Sequence, residues 1–397
     1  MFENLETLPP DPILGVATAF REDRSPDKVD LSVGVYKDRS GVTPVMRAVE
    51  KAERALIEAQ DTKVYLPPAG AAGFREGIFS LVMGDGAAAL RPRAAVIQAP
   101  GGCGALRLGA ELIHRAAPGT RVLLSDPTWP NHAPLLSGGG LRVESHRYFD
   151  ATAHRLTLQP MLDALEAAEA GTVVLLQASC HNPTGVEPDQ AQWMQILEVV
   201  ASRRLIPYFD IAYQGLGDDL DFDAWPIREA ARRMPEVIVA LSCSKNFGLY
   251  RERIGALIVL GDDAGRARAI ESQANKAARA MYSMPPGHGG LIVERILADP
   301  ALATEWRTEL ATMAARLRSL RELLAAAIAA ARPGFDASWL TRQRGMFSLL
   351  GVPAEAVRQL REEHHIYMGL DSRINVAGLN EDNVERVARL VAPHLAG

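Results

Sequence analysis

Six short apolar runs in the middle of the chain constrain its fold more than any other feature. Between most of them lie stretches whose apolar residues recur at a helical spacing. The runs cover residues 94–100, 121–127, 172–179, 205–212, 237–242 and 254–260. Continuous apolar strands separated by helices are typical of a mostly parallel sheet that is buried on both faces. We therefore predict an α/β fold in which helices flank a central sheet.

The pattern changes past Ala264, where the chain becomes mainly helical and then ends in a short α+β stretch with a helix near residues 354–363. A chain of 397 residues is also too long for one ordinary core. We predict a large domain over residues 43–300 and a smaller α+β domain over residues 301–397. Residues 1–42 are predicted to form an extended N-terminal arm and part of the small domain.

Composition and charge exclude several classes of protein. A formal net charge of −5 does not indicate binding to nucleic acid or to an anionic membrane. No run reaches the roughly 20 apolar residues of a membrane span, and the N-terminal stretch does not resemble a signal peptide. The three cysteines, Cys103, Cys180 and Cys243, are too few for a disulfide framework and lack metal-ligand spacing. We expect a cytoplasmic protein with no metal site.

Polar or glycine-rich segments follow five of the six runs. The segments are GGCGAL, PTWPNH, CHNPTG, IAYQG and CSKNFGLYRER. Each has an ordinary explanation, such as a tight turn, a helix N-cap at Asp210, a core tryptophan at Trp129 or a lysine at a sheet edge. In an open parallel sheet, however, ligands bind beyond the carboxyl ends of the strands. Five such segments together favour a binding site over five unrelated turns.

The residue types in these segments match the groups of one ligand. Arg251 and Arg253 follow Lys245 closely, and like charges lower the pKa of an amine, which makes it a nucleophile toward an aldehyde. A glycine-rich helix start with serines and an arginine suits a phosphate, although no P-loop motif is present. Asp210 suits a pyridinium nitrogen, and the face of Trp129 suits a planar ring. Pyridoxal phosphate carries all of these groups.

From LSVGVYKDRSGVTPVM through SRINVAG, the sequence resembles the fold-type I, class I aminotransferases, in their aspartate and aromatic amino acid subgroup. The segment SKNFGLYRERIGA is similar to the family's cofactor-lysine segment, which implies that Lys245 binds the cofactor covalently and serves as general base. Lys245, Asp210 and Tyr213 are the implied catalytic residues. The resemblance also implies a homodimer with shared active sites.

The resemblance assigns the cofactor phosphate to residues from two strand ends and to a loop of the other subunit. These residues are Gly101, Gly102, Cys103, Ser242, Ser244 and Arg253, with Tyr65 reaching the phosphate bound by the other subunit. Cys103 stands where relatives commonly have threonine or serine. A thiol is a weaker hydrogen-bond partner than a hydroxyl, so one phosphate contact departs from the family pattern.

Five residues are implied to contact or support the cofactor ring. Asp210 would pair with the ring nitrogen, and His132 would support Asp210. Asn182 and Tyr213 would hydrogen-bond the 3′ oxygen of the ring, and Trp129 would stack on its face. A protonated ring nitrogen and a hydrogen-bonded 3′ oxygen would make the ring an electron sink.

The resemblance also implies how the amino acid and 2-oxo acid substrates are bound. Arg373 in SRINVAG would grip the α-carboxylate with both arms of its guanidinium, a geometry that lysine serves poorly. Gly34 would lie beside that carboxylate, and Trp129 and Asn182 would line the substrate site. Arg279 would be donated by the other subunit and bind a side-chain carboxylate.

Met284 stands where aspartate-selective members commonly carry asparagine, and an apolar, adaptable side chain favours aromatic substrates. We therefore predict transamination of aromatic amino acids and of aspartate or glutamate with 2-oxo acids such as 2-oxoglutarate. The alternative is an aspartate aminotransferase selective for dicarboxylic substrates. A lyase on the same scaffold would not need both Arg279 and Arg373. A regulatory domain of aminotransferase type would not need Lys245, and it would require an appended DNA-binding module.

Overall fold

The computed structural model describes residues 1–7 and 12–395. The strands are β1 (Val29–Asp30), β2 (Ala94–Pro100), β3 (Arg121–Asp126), β4 (Arg142–Arg147), β5 (Phe149–Asp150), β6 (Arg155–Leu156), β7 (Val173–Gln177), β8 (Ile206–Ile211), β9 (Val237–Ser242), β10 (Ile254–Leu260), β11 (Phe347–Leu349), β12 (Ile366–Tyr367) and β13 (Arg373–Asn375). The α-helices are α1 (Pro12–Glu22), α2 (Arg47–Ala59), α3 (Ala72–Met83), α4 (Ala87–Leu90), α5 (Gly101–Ala116), α6 (His132–Gly138), α7 (Leu158–Ala167), α8 (Gln190–Ser202), α9 (Leu220–Arg233), α10 (Ala264–Tyr282), α11 (Gly287–Ala298), α12 (Pro300–Ala331), α13 (Trp339–Arg342), α14 (Ala354–His364) and α15 (Val384–Val391).

The central sheet has seven strands in the order β2-β10-β9-β8-β7-β3-β4. Only β10 runs against its neighbours, so the other strands all end at one edge of the sheet. All six predicted apolar runs are strands of this sheet. The sequence missed β4, because its residues RVESHR are mostly polar and the strand lies at the open edge, where only His146 is buried.

Side chains from both faces of the sheet are buried, as the continuous apolar runs predict. Tyr208 and Ile238 pack in one hydrophobic cluster, whereas Phe209 and Val239, one residue further along the same strands, pack in the other. Alternate residues of a strand point to opposite faces, so each face needs its own layer of helices. Helices α5 and α10 contact one face, and α3 and α9 contact the other. The predicted α/β architecture is confirmed.

The two ends of the chain meet in small sheets outside the central one. Strand β1 pairs in parallel with β12, and β11 pairs antiparallel with β13. The prediction of an extended N-terminal arm is wrong over Pro12–Glu22, which is helical, while residues 8–11 lie outside the described part. The helix is held because Phe20 packs edge-to-face on Tyr367, with ring centroids 5.4 Å apart. The domain boundaries at residues 42/43 and 300/301 stay predictions.

Three further observations concern residues 1–7 and 12–395. No helix in this part of the chain is long and apolar enough to cross a membrane. No group of three or more histidine, cysteine, aspartate or glutamate side chains there is arranged to hold a metal ion. Cys103, Cys180 and Cys243 are all free thiols.

Candidate active site

A cavity of about 280 Å³ lies at the sheet edge where the parallel strands end. Its walls come from β8, β9, the start of α5 and the C-terminal strands. The lining residues are Gly34, Gly102, Cys103, Leu106, Trp129, Gln177, Asn182, Asp210, Ala212, Tyr213, Ser242, Ser244, Lys245, Arg253, Phe347 and Arg373. Most residues that the strand ends predicted are thus brought together around one space.

One end of this cavity is built to accept an anion. Helix α5 begins at Gly101, so the first backbone N–H groups of the helix have no partner within it. Gly101 has φ +69°, and a Cβ there would lie 2.5 Å from Arg253 Nη2. Arg253 Nη1 in turn donates to Ser244 Oγ at 3.4 Å, and Ser244 N donates to Ser242 Oγ at 3.2 Å. Helix amides, two hydroxyls and a guanidinium form a donor set for a phosphate.

The backbone of Arg253 is in an unusual conformation. Its φ of +57° lies in the left-handed region, which costs a non-glycine residue about 1–2 kcal/mol. Arg253 Nη1 also donates to Tyr250 O at 2.9 Å, so the turn itself helps to hold the guanidinium. Arg251, two residues earlier, is exposed and does not line the cavity.

Cys103 lines the cavity beside the phosphate donors. Its sulfur accepts a hydrogen bond from Asn131 Nδ2 at 3.7 Å. Asn131 was not singled out in the sequence, although it lies between Trp129 and His132 in the same strand-end segment. The thiol is therefore held by a neighbouring loop, and the amide groups at the start of α5 remain available to an anion.

A buried carboxylate lies at the carboxyl end of β8. Asp210 Oδ2 lies 3.0 Å from His132 Nε2, and Thr128 Oγ1 lies 2.7 Å from His132 Nδ1. His132 is fully buried, which makes this chain of contacts rigid. Trp129 meets the His132 ring edge-to-face, with centroids 5.3 Å apart. Thr128 was missed, but its place directly after β3 is a strand-end signal that would have found it.

Lys245 extends into the cavity from the end of β9. Desolvation lowers the pKa of Lys245 most, and the charge of Arg253 adds a smaller effect in the same direction, against Asp210 and Cys103. The sequence attributed this shift to neighbouring arginines, whereas burial is its main cause. Lys245 Nζ lies 5.1 Å from the ring centroid of Tyr213. Burial, followed by the charge of Asp210, raises the pKa of Tyr213, so its hydroxyl stays protonated at neutral pH.

Arg373 places a second cation in the lining of the cavity. Arg373 Nη1 donates to Asn182 Oδ1 at 3.3 Å, and Nη2 donates to Ser32 O at 3.1 Å. The ring of Phe347 lies under this guanidinium, with its centroid 4.7 Å from Arg373 Cζ. A Cβ on Gly34 would lie 2.7 Å from Phe347 Cζ, so only glycine leaves room for the ring. Phe347 was missed, because no local sequence signal places it near Arg373.

A reciprocal amide contact fixes the Asn182 loop. Gln177 Oε1 accepts from Asn182 N at 2.9 Å, and Gln177 Nε2 donates to Asn182 O at 3.0 Å. Gln177 is the last residue of β7 and lines the cavity. It was missed, although a polar residue that ends a buried strand is the signal that identified Asp210.

Four predicted residues do not line the cavity of their own chain. Gly101 and His132 lie directly behind lining residues, next to Arg253 and Asp210, whereas Tyr65 and Arg279 lie apart from it. The side chain of Tyr65 is 85% exposed, and Arg279 is exposed near the end of α10. The segments that carry them lie together, since Leu66 N donates to Met284 Sδ at 3.2 Å. This placement is compatible with donation of both residues to another subunit, and that assignment stays a prediction.

A buried acid supports the loop between β7 and α8. Glu187 Oε1 accepts a hydrogen bond from Cys180 N, close to Asn182. Burial, followed by the charge of Asp223, raises the pKa of Glu187 to about 8, and burial raises the pKa of Asp223 to about 6. Both values lie above the ordinary range of a carboxyl group. The folded chain therefore holds protons that the unfolded chain has released at neutral pH.

This difference predicts a loss of stability as the pH rises. Because the folded pKa of Glu187 exceeds its unfolded value, its protonated form stabilises the fold at low pH, and that stabilisation is lost as the pH rises toward about 8. The Glu187→Gln variant keeps an acceptor for Cys180 N without the charge. We expect it to recover roughly 3–5 kcal/mol of unfolding free energy at pH 9 relative to pH 5.

Urea unfolding at fixed protein concentration across this pH range measures the effect, and Glu166→Gln on the exposed face of α7 is the matched control. The control should decline with pH as steeply as the wild type. An equally steep decline in Glu187→Gln would contradict the assignment.

The residues around the cavity fit pyridoxal phosphate. The anion end has close-approach glycines where a Cβ would meet Arg253 or Ser242, which leaves space for a phosphate against the backbone. Asp210, backed by His132, suits a ring nitrogen, and Lys245 has the lowered pKa that a nucleophilic amine requires. Arg253 and Arg373 are the two arginines among the residues that line the cavity.

Comparison with known proteins agrees with this chemistry. Residues 26–391 match the family model described as aminotransferase class I and II. The chain is 44% identical over 392 residues to an aromatic-amino-acid aminotransferase of Pseudomonas aeruginosa, covering 98% of each chain. It is 41% identical over 385 residues to an aspartate aminotransferase of Escherichia coli K12, covering 97% of each.

A solved aminotransferase structure has the same fold as this chain. The crystal structure of the aromatic-amino-acid aminotransferase from Burkholderia pseudomallei, covalently bound to pyridoxal phosphate, has a TM-score of 0.96 and 42% identity, with 100% of both chains covered. The family model covers most of the chain, and these relatives match it nearly end to end. The chain thus belongs to the class I and II aminotransferases and is a fold-type I aminotransferase that depends on pyridoxal phosphate.

Proposed function

We propose that this aminotransferase acts on aromatic amino acids and on aspartate or glutamate, with 2-oxo acids such as 2-oxoglutarate as amino acceptors. The observation that carries the proposal is the cavity that holds Lys245, Asp210 and two separate cations, Arg253 and Arg373. One cation suits the cofactor phosphate and the other a substrate carboxylate. Met284, apolar and in contact with the Tyr65 loop, favours aromatic side chains.

The second candidate is an aspartate aminotransferase selective for dicarboxylic substrates. Relatives at similar identity carry both names, so overall similarity does not separate the two. Arg279 supports either function, because a guanidinium binds a side-chain carboxylate whether or not aromatic substrates are also accepted. The two candidates differ in whether the side-chain pocket excludes an aromatic ring.

We assign the cofactor-holding residues by what each can donate. Gly101, Gly102, Ser242, Ser244 and Arg253 would bind the phosphate, with Cys103 beside them and Tyr65 from the other subunit. When bound, pyridoxal phosphate supplies an aldehyde that captures amino groups and a ring that withdraws the electrons of the substrate's Cα–H bond.

The residues around the ring divide the remaining tasks. Asp210, oriented by His132, would hold a proton on the pyridine nitrogen, and Asn182 and Tyr213 would donate hydrogen bonds to the 3′ oxygen. Trp129 presents its face to the ring and restricts it to one plane. The effect of these contacts is to keep the ring in its most electron-withdrawing form.

Lys245 has two successive roles. Its amine would hold the cofactor's aldehyde when no substrate amine is bound. Once free, Nζ would serve as the general base for the proton of the substrate Cα and as the donor of that proton to the cofactor's C4′ carbon. Arg373 holds the substrate α-carboxylate during this transfer, with Gly34 leaving space beside it. The two half-reactions share one site, so ping-pong kinetics are expected.

We infer that the active unit is a homodimer in which each site uses residues from both chains. Apolar side chains are exposed in the segments that carry Tyr65 and Arg279, with Val64 74% and Met281 40% exposed. Large exposed apolar groups that cluster with functional residues are typical of a subunit interface. The same face would supply Tyr65 to the phosphate and Arg279 to a side-chain carboxylate in the neighbouring site.

A panel of amino donors tests the substrate assignment. With 2-oxoglutarate as acceptor, we expect turnover of aspartate, phenylalanine, tyrosine and tryptophan, and little turnover of branched-chain amino acids. The aromatic donors should be accepted because Met284 leaves the pocket apolar. Turnover of aspartate without measurable aromatic activity would support the dicarboxylate-selective candidate instead.

Mixed dimers test the shared site. The Lys245→Ala homodimer should be inactive, and Arg279→Ala should lose about 10²-fold in kcat/KM for aspartate but little for phenylalanine. A mixed dimer of the two variants contains one site with both residues intact if Arg279 acts on the other subunit. Aspartate activity should then reappear on mixing and dissociation–reassociation.

Whether aspartate activity reappears depends only on which subunit's site Arg279 serves. If Arg279 acts within its own chain, no site in the mixed dimer has both residues, and mixing would restore nothing. The matched control mixes Lys245→Ala with Arg251→Ala, an exposed arginine outside the cavity. This control should show aspartate activity before and after mixing.

A further inference from the structure

Arg321 on α12 is a buried cation whose hydrogen bonds within residues 1–7 and 12–395 all go to neutral oxygens. Its side chain is 1% exposed, and burial lowers its pKa to about 10, so the group is still protonated at neutral pH. The acceptors all lie within residues 340–348. They are Gly345 O, Leu340 O, Arg344 O and Phe347 O on the backbone, and Gln343 Oε1 and Ser348 Oγ on side chains. The charges of Cys180 and Glu187 partly offset the effect of burial on this pKa, but neither side chain accepts a hydrogen bond from Arg321 in the described part of the chain. A buried charge that is not directly paired with an anion is costly.

These contacts determine the path of the chain before β11. The shortest are Arg321 Nη2 to Phe347 O at 2.6 Å and Nη1 to Ser348 Oγ at 2.7 Å. A buried carbonyl without a donor is strongly destabilising. The backbone of this segment is therefore kept in place by one planar guanidinium with five donors, which an ammonium group could not replace.

Residues 340–348 also pack closely against the loop that carries Asn182. Arg344 N donates to Gly185 O at 2.9 Å. A Cβ on Gly185 would lie 2.4 Å from Phe347 O, and one on Gly345 would lie 2.4 Å from Cys180 Cβ. The chain before Phe347 is thus fixed on one side by Arg321 and on the other by close backbone contact.

What this segment presents to the cavity is Phe347. In the β11–β13 ladder, Phe347 pairs with Asn375 and Leu349 pairs with Arg373. The Phe347 ring also lies under the Arg373 guanidinium at 4.7 Å and meets the Tyr213 ring edge-to-face, with centroids 6.0 Å apart. A shift of this segment would move both the strand partner and the aromatic floor of Arg373.

We propose that Arg321 is a positioning residue that sets Phe347 and, through it, the orientation of Arg373 toward the substrate α-carboxylate. The inference rests on the proposed function in that Arg373 binds this carboxylate. Among the cavity-lining residues, Arg321 donates only to Phe347 and to none of the phosphate donors, so its effect should fall on substrate binding more than on cofactor binding.

The test uses the holoenzyme with two carboxylates that lack an amino or oxo group, succinate and 3-phenylpropionate. For Arg321→Lys we expect Kd for both, measured by calorimetry, to rise about tenfold, and for Arg321→Met about 10²-fold, because small misplacements of a binding group are expensive. KM for amino donors should rise in parallel, while kcat changes less than about threefold and cofactor affinity stays at the wild-type value.

Two further variants sharpen the result. Ser348→Ala removes one acceptor of Arg321 and leaves the guanidinium in place, so Kd should rise only about threefold. Arg318→Lys is the same substitution at an exposed position of α12, three residues away, and should leave Kd unchanged. These two variants and Arg321→Lys decide the matter if Arg321→Met does not fold.

Several outcomes would overturn the proposal. If the Arg321 variants melt at a lower temperature but bind both carboxylates with the wild-type Kd, Arg321 contributes only to packing. If they lose affinity for the carboxylates and for the cofactor equally, the substitution distorts the whole site. A wild-type enzyme that bound neither carboxylate would contradict the proposed function itself. In that case the crystal structure of Arg321→Lys still decides: displacement of the Phe347 ring from Arg373 supports the inference, and an unmoved ring overturns it.

Discussion

Lys245→Ala is expected to lower kcat for transamination by about 10⁴-fold or more, because both covalent capture of the cofactor and general-base transfer depend on one amine. No neighbouring group can replace it: Lys245 is the one lysine that lines the cavity, among the residues that the structure describes. The visible absorbance of the lysine-bound cofactor should disappear. The phosphate donors remain, so the variant should still bind the cofactor, but reversibly.

Borohydride reduction followed by peptide mass spectrometry makes this test independent of activity. The cofactor mass should be fixed on the peptide that contains Lys245 in the wild type and on no peptide of the variant. Lys51→Ala, which removes an exposed lysine that pairs with Glu305 on α12, is the matched control and should behave as wild type. Wild-type turnover by Lys245→Ala would refute the roles assigned to this residue.

Arg373→Lys is expected to lower kcat/KM by about 10²- to 10³-fold for aromatic and dicarboxylic donors alike. The substitution keeps the charge but loses the planar fork that holds a carboxylate at two points. It also removes the donors to Asn182 Oδ1 and Ser32 O and the stacking on Phe347. Most of the loss should fall on KM, because the α-carboxylate is bound in both the ground state and the transition state.

The cofactor spectrum separates this effect from a general disturbance of the site. Arg253, and not Arg373, is assigned to the phosphate, so the Arg373→Lys variant should keep its bound cofactor. Arg389→Lys, at an exposed position of α15, is the matched control and should not change kcat/KM. A loss confined to dicarboxylic donors would contradict the assignment, since that pattern belongs to a residue that binds the side-chain carboxylate.

Local sequence patterns were sufficient to predict the site residues that lie at the ends of strands. Lys245, Asp210 and the glycines of α5 follow apolar runs directly, and parallel strands bring their carboxyl ends to one edge whatever the details of packing. Gln177 and Thr128 occupy the same kind of position and could have been found by the same rule. Strand β4 could not, because its mostly polar residues lack the apolar pattern by which the other strands were recognised.

Contacts between residues far apart in the chain could not be predicted from the sequence. Phe347 reaches Arg373 only because β11 and β13 pair in one register, and Gly34 admits the ring only because β1 brings the N-terminal segment to the same place. The helix over Pro12–Glu22 likewise depends on packing against Tyr367. Short helices gain most of their stability from such tertiary contacts and not from their own sequence.

The sequence by itself determined which chemical groups are present and which of them follow apolar runs: an amine at Lys245, a carboxylate at Asp210 and a glycine-rich turn that leads into α5. The role of Arg373 was implied by the family resemblance and stays a prediction. Only the tertiary structure decided how these groups behave. Lys245 has a lowered pKa chiefly because the cavity desolvates it, and Arg373 is oriented by Asn182, Ser32 and Phe347 from three separate segments. The reason is physical: residue identity is local, but desolvation and orientation are produced by neighbours that the chain brings together only when it folds.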